Sequence, residues 1–377
     1  MVDERTGVLV VGAGLAGAAT ALFLARRGVD VLLVERHQST SSLPKATLTQ
    51  ARCRELLAWA GVALPEHATQ DVVEPLLVAA AEQAGASVRF GTEAVGVRQD
   101  PTGVTARLLT AWNGRLGTVR AAYVVAADGH RSPIRAGLGI RCHGHGVLRH
   151  SIEVVYLAGE HAVRTRAAFD YHPQRGESML DFTSEVVADL IRLAAPEPAV
   201  RVEAVQAWQV GASVADRFAD GRVFLAGDAA RVAPPGGHCA DIAVEDAYDL
   251  AWRLADVVDG TARPDALAGY DAERRPVAER EVRAALHELD RAAEPAREPE
   301  DDVVRAPDVA LGQWTLAGAA EWRAAGERLG AGFTVTGGDG ARLVRPDGMV
   351  AWQGTDEAEL RSAWQREHGT GEHLTAA

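Results

Sequence analysis

Gly12, Gly14 and Gly17 are spaced Gly-x-Gly-x-x-Gly, and Glu35 follows 23 residues after Gly12. Glycines in this pattern act through the backbone. Gly12 permits a tight turn, Gly14 lets a pyrophosphate approach the main chain, and Gly17 lets a helix pack closely on a strand. An acid about 20 residues on holds a ribose hydroxyl and disfavours a 2′-phosphate. These four residues therefore predict a site for an ADP-containing dinucleotide other than NADP, and do not separate NAD from FAD. The elements needed to position them are present. Val8–Val11 is a short apolar run that reads as a strand buried on both faces. From Ala18 the chain reads as a helix carrying Leu22, Phe23 and Leu24, with Gly28 as its stop. Val31–Val34 reads as a second buried strand ending at Glu35. The helix N-terminus then faces the anionic phosphates.

Two later segments repeat the strand-to-turn theme. In Tyr123–Ile140 an apolar strand runs into Asp128-Gly129, followed by a helix start. In Gly221–Gly237 a buried strand runs into Gly227-Asp228, then a loop through Pro234, Pro235, Gly236 and Gly237. A long helix is expected from about Ile242 to Val258. Taken singly, each junction is also an ordinary structural turn, because Asp and Gly are common turn residues.

In this order the three segments resemble the cofactor fingerprints of the FAD-dependent aromatic-ring hydroxylases, the p-hydroxybenzoate hydroxylase fold. The resemblance implies that Asp128 and Gly129 lie near the pyrophosphate and the substrate side. It implies that Asp228 binds the ribityl chain and that Pro235, Gly236 and Gly237 present backbone amides to the flavin. Val88–Val95 resembles the strand whose backbone meets the adenine, and Gln70, in Thr69–Leu77, the glutamine that contacts the flavin. Arg36 and Lys45 complete the implied cofactor set. Gly144–His150 and Leu343–Trp352 are similar to bacterial polyketide hydroxylases acting on anthracycline- and angucycline-like substrates, which carry a C-terminal thioredoxin-like domain. Pro346-Asp347-Gly348 reads as a hairpin turn on its own terms.

The implied fold class is α/β: a Rossmann-like FAD-binding domain, a mixed-sheet substrate domain and a reduced thioredoxin-like C-terminal domain. The expected boundaries are 1–150 and 201–290 for the FAD-binding domain, interrupted by substrate-domain segments at about 70–80 and 141–210. Residues 151–200 are expected as a remnant of the substrate domain, and 307–377 as the C-terminal unit.

The sequence departs from the family pattern in four places. Lys45-Ala46 stands where the family has Arg-Ala, keeping the charge without the planar fork. One residue is missing between Pro235 and Gly236, and His238-Cys239-Ala240-Asp241 replaces a glycine-rich stretch with an Asn. A carboxylate at Asp241 is expected to disfavour an anionic reduced flavin by like-charge repulsion. The stretches at 61–70, 157–168 and 294–314 are short, the last opening with the acidic run Glu294–Asp302. They fit either a naturally compact homologue or a chain with loops excised. The C-terminal unit is small and lacks a Cys-x-x-Cys, so no redox centre is expected there.

The resemblance implies an NAD(P)H-using monooxygenase that hydroxylates an aromatic polyketide. NADPH or NADH reduces the flavin, oxygen adds at its C4a position, and the hydroperoxide transfers oxygen to an electron-rich ring. Position and water exclusion carry most of this chemistry, so no catalytic side chain is nominated. No Gly-x-Ser-x-Gly elbow or placed triad is present. His143, His145 and His150 cluster without a standard metal spacing and fit solvated histidines or a metal site; no metal is nominated. Trp208, Trp252 and Trp352 read as core, with Trp208 able to border a substrate pocket. Two rival readings are a catalytically silent flavin-fold binding or assembly protein, which the altered loop suggests, and a plain NAD-dependent dehydrogenase. The dehydrogenase leaves the Asp128 and Asp228 segments unexplained.

The bulk properties agree with an enzyme of this kind. The chain has 377 residues and a net charge of -13, which argues against nucleic acid or an anionic membrane as partner. The three scattered cysteines, Cys53, Cys142 and Cys239, fit a reducing compartment. The charged start, Met-Val-Asp-Glu-Arg, carries no signal-peptide pattern, and no apolar run spans a bilayer. A cytoplasmic monomer or homodimer is expected.

Overall fold

A computed structural model describes residues 3–159, 163–194, 200–235, 237–290, 311–318, 320–336 and 340–369. Gly236 and the acidic run 294–302 lie outside the described residues. The first part of the chain forms β1 (Glu4–Val11), α1 (Leu15–Arg26), β2 (Val31–Val34), β3 (Thr47–Leu48), α2 (Ala51–Trp59) and β4 (Ala68–Thr69). It continues with α3 (Gln70–Gln83), β5 (Ser87–Arg89), β6 (Thr92–Asp100), β7 (Gly103–Thr110), β8 (Arg115–Ala126) and α4 (Pro133–Gly137). The middle holds β9 (Cys142–Ala158), β10 (Val163–Tyr171), α5 (Ser184–Ala194), β11 (Val200–Ala215), β12 (Ala219–Asp220) and β13 (Val223–Leu225). β14 (Arg231–Val232), α6 (Cys239–Val258) and α7 (Ala268–Asp290) follow. The last described part is β15 (Thr315–Gly318), α8 (Arg323–Leu329), β16 (Gly332–Val335), β17 (Ala341–Val344), β18 (Val350–Gly354) and α9 (Glu357–His368).

The main sheet has the order β12-β13-β8-β1-β2-β5. Strands β13, β8, β1, β2 and β5 run parallel. The antiparallel ribbon β6–β7 extends from β8. Val8–Val11 and Val31–Val34 are buried, as expected of parallel strands covered on both faces. Helices α1 and α6 pack together against this sheet, and Leu22, Phe23 and Leu24 are completely buried. Register pairs Val11 with both Val34 and Ala126, and Ala126 with Leu225. The carboxyl ends of four parallel strands therefore share one edge, where open α/β sheets bind ligands.

The second sheet, β10-β9-β11-β14, is antiparallel. Period-two alternation splits its residues between two faces. Ile152, Val154, Tyr156 and Val205 pack with Val187 and Ile191 of α5, while Glu153 and Gln206 turn to the other side. The described residues of the shortened stretch 157–168 are mostly strand: β10 pairs with β9 from Val163 opposite Ala158 to Tyr171 opposite His150.

The third sheet has the order β16-β15-β17-β18, with β15 and β16 parallel and the other pairings antiparallel. Pro346-Asp347-Gly348 turns between β17 and β18, with Gly348 at φ +79°. This unit shares a core with α6 through Trp252 and Trp314, whose rings meet edge to face at 5.6 Å. Trp352 is also buried.

Several expected boundaries shift. α1 begins at Leu15 rather than Ala18, and α6 at Cys239 rather than Ile242, because each chain turns helical straight after its glycine-rich loop. The strand expected over Val88–Val95 is broken at Phe90–Gly91, where β5 leaves β2 and the chain joins β7. Gly91 makes that corner at φ +62°. No helix of the described residues is long and apolar enough to cross a membrane.

Candidate functional site

Gly12 sits at the end of β1 with φ +102°. Its amide donates to the Val34 carbonyl at 2.8 Å. A Cβ there would lie 2.2 Å from the Ala127 carbonyl oxygen, and one at Gly17 would lie 1.8 Å from the Gly12 carbonyl oxygen. Only glycine fits either place. Gly14 is the N-cap of α1 and brings no side-chain cap. The first turn of a 12-residue helix thus opens without a capping side chain, a ready position for an anion.

Glu35 closes this turn from behind. Its Oε2 accepts the Ala13 amide at 2.8 Å, and its Oε1 accepts the His37 amide at 2.8 Å and faces His37 Nδ1 at 2.6 Å. Arg36 is exposed beside it.

A cavity of about 700 Å³ runs from the glycine turn to the second sheet. On one side it is walled by Gly14, Gly17, Lys45, Gln70, Gly129 and Asp228. The loop residues Pro235, Gly237 and Cys239 close the end of that wall. The other side presents Glu153, Arg166, Tyr171, Gln206 and Trp208 from β9, β10 and β11. Gly12, Glu35, Arg36, Val95 and Asp128 do not line it. Gly12 and Glu35 shape the turn from behind. Val95 is 43 % exposed at an irregularity between Ala94 and Gly96 on β6.

Asp128 acts as a brace. Its Oδ2 accepts the Ile134 amide at 3.2 Å, and its Oδ1 is buried without a hydrogen-bond partner among the described residues. Burial pushes its pKa up. Arg135 ties this loop to the Asp228 loop, donating to the carbonyls of Ala229 at 2.9 Å and His130 at 2.8 Å. Asp228 itself opens onto the cavity. The enclosing walls push its pKa up, against the pull of His130, Arg231 and Lys45. Burial pushes the neighbouring His130 down, toward the neutral form. Gln70 Nε2 donates to Glu74 Oε1 at 2.6 Å, and burial holds the Glu74 carboxyl above its usual range.

The loop before α6 corrects one expectation. Asp241 is fully buried and does not line the cavity. Its carboxylate accepts the amides of Thr49 at 3.0 Å and Gln50 at 3.1 Å, at the start of α2. It points away from the cavity because its position on α6 faces the helix beside it, and it serves as a cap. Glu281 of α7, also buried and outside the cavity lining, accepts the His238 amide and fixes the loop from behind. Burial pushes the Cys239 thiol up to about 12, so it stays protonated at neutral pH.

Of the three histidines of β9, His143 faces Asp216 at 3.1 Å and His150 packs on Tyr171 at 5.6 Å. Among the described residues no cluster of three metal-ligating side chains occurs. Trp208 borders the cavity. The sequence reading missed His130, Arg131, Glu153, Arg166, Tyr171 and Gln206. For Gln206 and Trp208 a signal existed: they alternate along one strand and so share a face.

Parallel strand ends, a glycine cradle and a Gly-Asp turn opening on one cavity define a dinucleotide-binding flavoprotein fold. The comparisons agree with this. A family model described as "FAD binding domain" matches residues 5–68, 63–178 and 159–285, and the chain belongs to that family. It is similar to aklavinone 12-hydroxylase DnrF of Streptomyces peucetius, at 38 % identity over 71 % of each protein. It is also 33 % identical to aklavinone 12-hydroxylase RdmE of Streptomyces purpurascens, covering 96 % of this chain and 98 % of that one. That alignment spans 525 positions against 377 residues here, so the relative carries insertions this chain lacks. Among solved structures, a ternary complex of aklavinone-11 hydroxylase with FAD and aklavinone superposes with a TM-score of 0.86 at 30 % identity. It covers 98 % of this chain and 100 % of that one.

Proposed function

We propose that this chain is an FAD-dependent, NAD(P)H-using monooxygenase that hydroxylates an aromatic polyketide. The observation that carries the reading is one cavity with two unlike walls, a glycine and Gly-Asp cradle facing aromatic and polar side chains of a second sheet.

The residues present fit FAD. The cradle at Gly12 and Gly17 admits no Cβ, and the first turn of α1 offers its amides without a side-chain cap. In this reading Gly12, Gly14 and Gly17 hold the pyrophosphate and Glu35 the ribose. Arg36 and the main chain at Val95 serve the adenine end. Asp128 and Gly129 brace the pyrophosphate side, and Asp228 takes the ribityl hydroxyls. Lys45, Gln70 and the Pro235–Gly237 loop serve the flavin ring. FAD supplies hydride acceptance from NADPH or NADH and activation of oxygen. The protein's own task is positioning. Tyr171 and Trp208 offer flat apolar surfaces to a planar ring system, Gln206 and Glu153 offer hydrogen-bond partners, and the walls limit water. The relatives named as aklavinone hydroxylases support a fused aromatic polyketide as the substrate class.

The silent-binding alternative rested on a carboxylate beside the flavin and on missing strands. Asp241 lies elsewhere, and β9, β10 and β11 form a sheet beside the cavity. The catalytic reading is therefore the better supported.

For domains we propose the boundaries expected above. The third sheet supports a reduced thioredoxin-like unit, with β15 and β16 parallel, β17 and β18 antiparallel, and helices α8 and α9. A cytoplasmic monomer or homodimer is part of the same proposal.

The test is spectroscopic. The purified chain with FAD should give a yellow complex, and aklavinone should stimulate NADPH oxidation and gain one oxygen by mass spectrometry. Absence of the chromophore after FAD addition sinks the reading.

A further inference from the structure

Lys45 is the single lysine of the chain; the other 38 of its 39 Lys and Arg residues are arginine. It lines the cavity, half-buried, and its charge acts on both Glu74 and Asp228. The segment that carries it is gripped from two sides.

From α3, Glu74 Oε2 accepts the Ser41 amide at 3.0 Å, and the Gln70 amide donates to the Ala46 carbonyl at 2.8 Å. From β10, Arg164 and Arg166 stand two residues apart and so leave the sheet on one face. Arg164 donates to the Ser42 carbonyl at 3.0 Å and is anchored by Asp71 at 2.7 Å and Glu203 at 3.1 Å. Arg166 donates to the Pro44 carbonyl and, at 3.4 Å, to the Lys45 carbonyl. Its other contact is an ion pair with Glu153 of β9 at 2.8 Å, on the second-sheet wall that faces Lys45 across the cavity.

We propose that Arg166, assisted by Arg164, is a positioning residue: it clasps the strap 42–45 to the substrate sheet and sets the Lys45 ammonium at the cofactor wall. The inference rests on the FAD-site reading given above. A guanidinium suits this task because its planar fork reaches two neighbouring carbonyls and a carboxylate together. Since Glu153 faces the cavity, a ligand that engages Glu153 is felt at Lys45 through one side chain.

Having one lysine makes the test specific. The chain is acetylated with N-hydroxysuccinimidyl acetate, with and without FAD, and modification of Lys45 is followed by peptide mass spectrometry. In the wild-type chain FAD should protect Lys45. Arg166→Met should speed acetylation of the FAD-free chain and weaken FAD binding about tenfold, the scale of one or two lost charge-assisted hydrogen bonds. It should also raise the hydrogen peroxide released per NADPH consumed. Arg164→Met should act in the same direction and less. Arg166→Lys, which keeps the Glu153 pair and loses the fork, should fall between wild type and Arg166→Met; it also serves if the Met variant does not fold. Folded variants with unchanged acetylation rate and FAD affinity overturn the proposal. A wild-type chain that binds no FAD overturns the cofactor reading, while the FAD-free acetylation rates still decide the clasp.

Discussion

The two walls of the cavity are built on different principles. The cofactor wall is mostly main chain: glycines at parallel strand ends, a helix start and short turns. The substrate wall is mostly side chain, with Trp208, Tyr171, Gln206 and the Glu153–Arg166 pair projecting from antiparallel strands. Where main chain packs on main chain, as at Gly12 and Gly17, the cofactor wall tolerates no change, because a single Cβ collides. A wall of side chains is open to substitution at each position. On the proposed reading, cofactor identity resides on the first and substrate choice on the second.

The largest expected effect attacks the first wall. Gly17→Val places carbon within van der Waals overlap of the Gly12 carbonyl and should cost about 3 kcal/mol or more of stability, abolishing the flavin spectrum. Denaturant unfolding and FAD titration measure both. If Gly17→Val binds FAD normally, the distinction between the walls fails.

Asp228→Asn should be smaller and two-signed. It should weaken FAD binding about tenfold or more, since a hydrogen bond to a charged group is lost. The enclosing cavity walls raise the Asp228 pKa although the side chain opens onto the cavity, so the unfolded chain ionises this group slightly more readily than the folded one. Stability contributed by the neutral acid is present below the unfolded value, about 3.9, and is lost as pH rises toward the folded value. The FAD-free Asn variant should hence melt higher than wild type at neutral pH, with the gap closing in acid. Melting curves across pH check this, and an equal gap at all pH values contradicts it.

Trp208→Ala should have the smallest effect on the protein and a selective one on function. The KM for aklavinone should rise about tenfold, the worth of one aromatic contact, with FAD affinity unchanged. A parallel loss of FAD would mean that the walls are not separable.

This division also explains what was legible in the sequence. Residues 8–35 were readable because main-chain constraints admit few residue types: glycine where a Cβ collides, apolar residues where both faces are covered. The segments around Asp128 and Asp228 were readable as ordered turns for the same reason. The substrate wall was not, since strand alternation says which residues share a face and not which face meets the cavity. Asp241 shows the same limit on a helix. Its proximity to the flavin loop in sequence suggested a place in the cavity, while the rotation of α6 carries it to the start of α2. The unexpected start of α1 at Leu15 is a matter of backbone geometry, as helical dihedrals begin directly after Gly14.

The C-terminal unit touches the rest of the chain through charge as much as through tryptophan. Arg345, just after β17, pairs with Asp249 of α6 at 3.2 Å and with Glu273 of α7 at 2.7 Å. Trp314 donates to Asp256 at 2.9 Å, and the Tyr248 hydroxyl donates to the Pro346 carbonyl at 2.7 Å. Asp249 and Asp256 are buried in the long helix whose start borders the cavity. The C-terminal unit and the long helices are therefore joined as one electrostatic whole. An engineer who exchanges the C-terminal unit between relatives must transplant the acids of α6 and α7 with it.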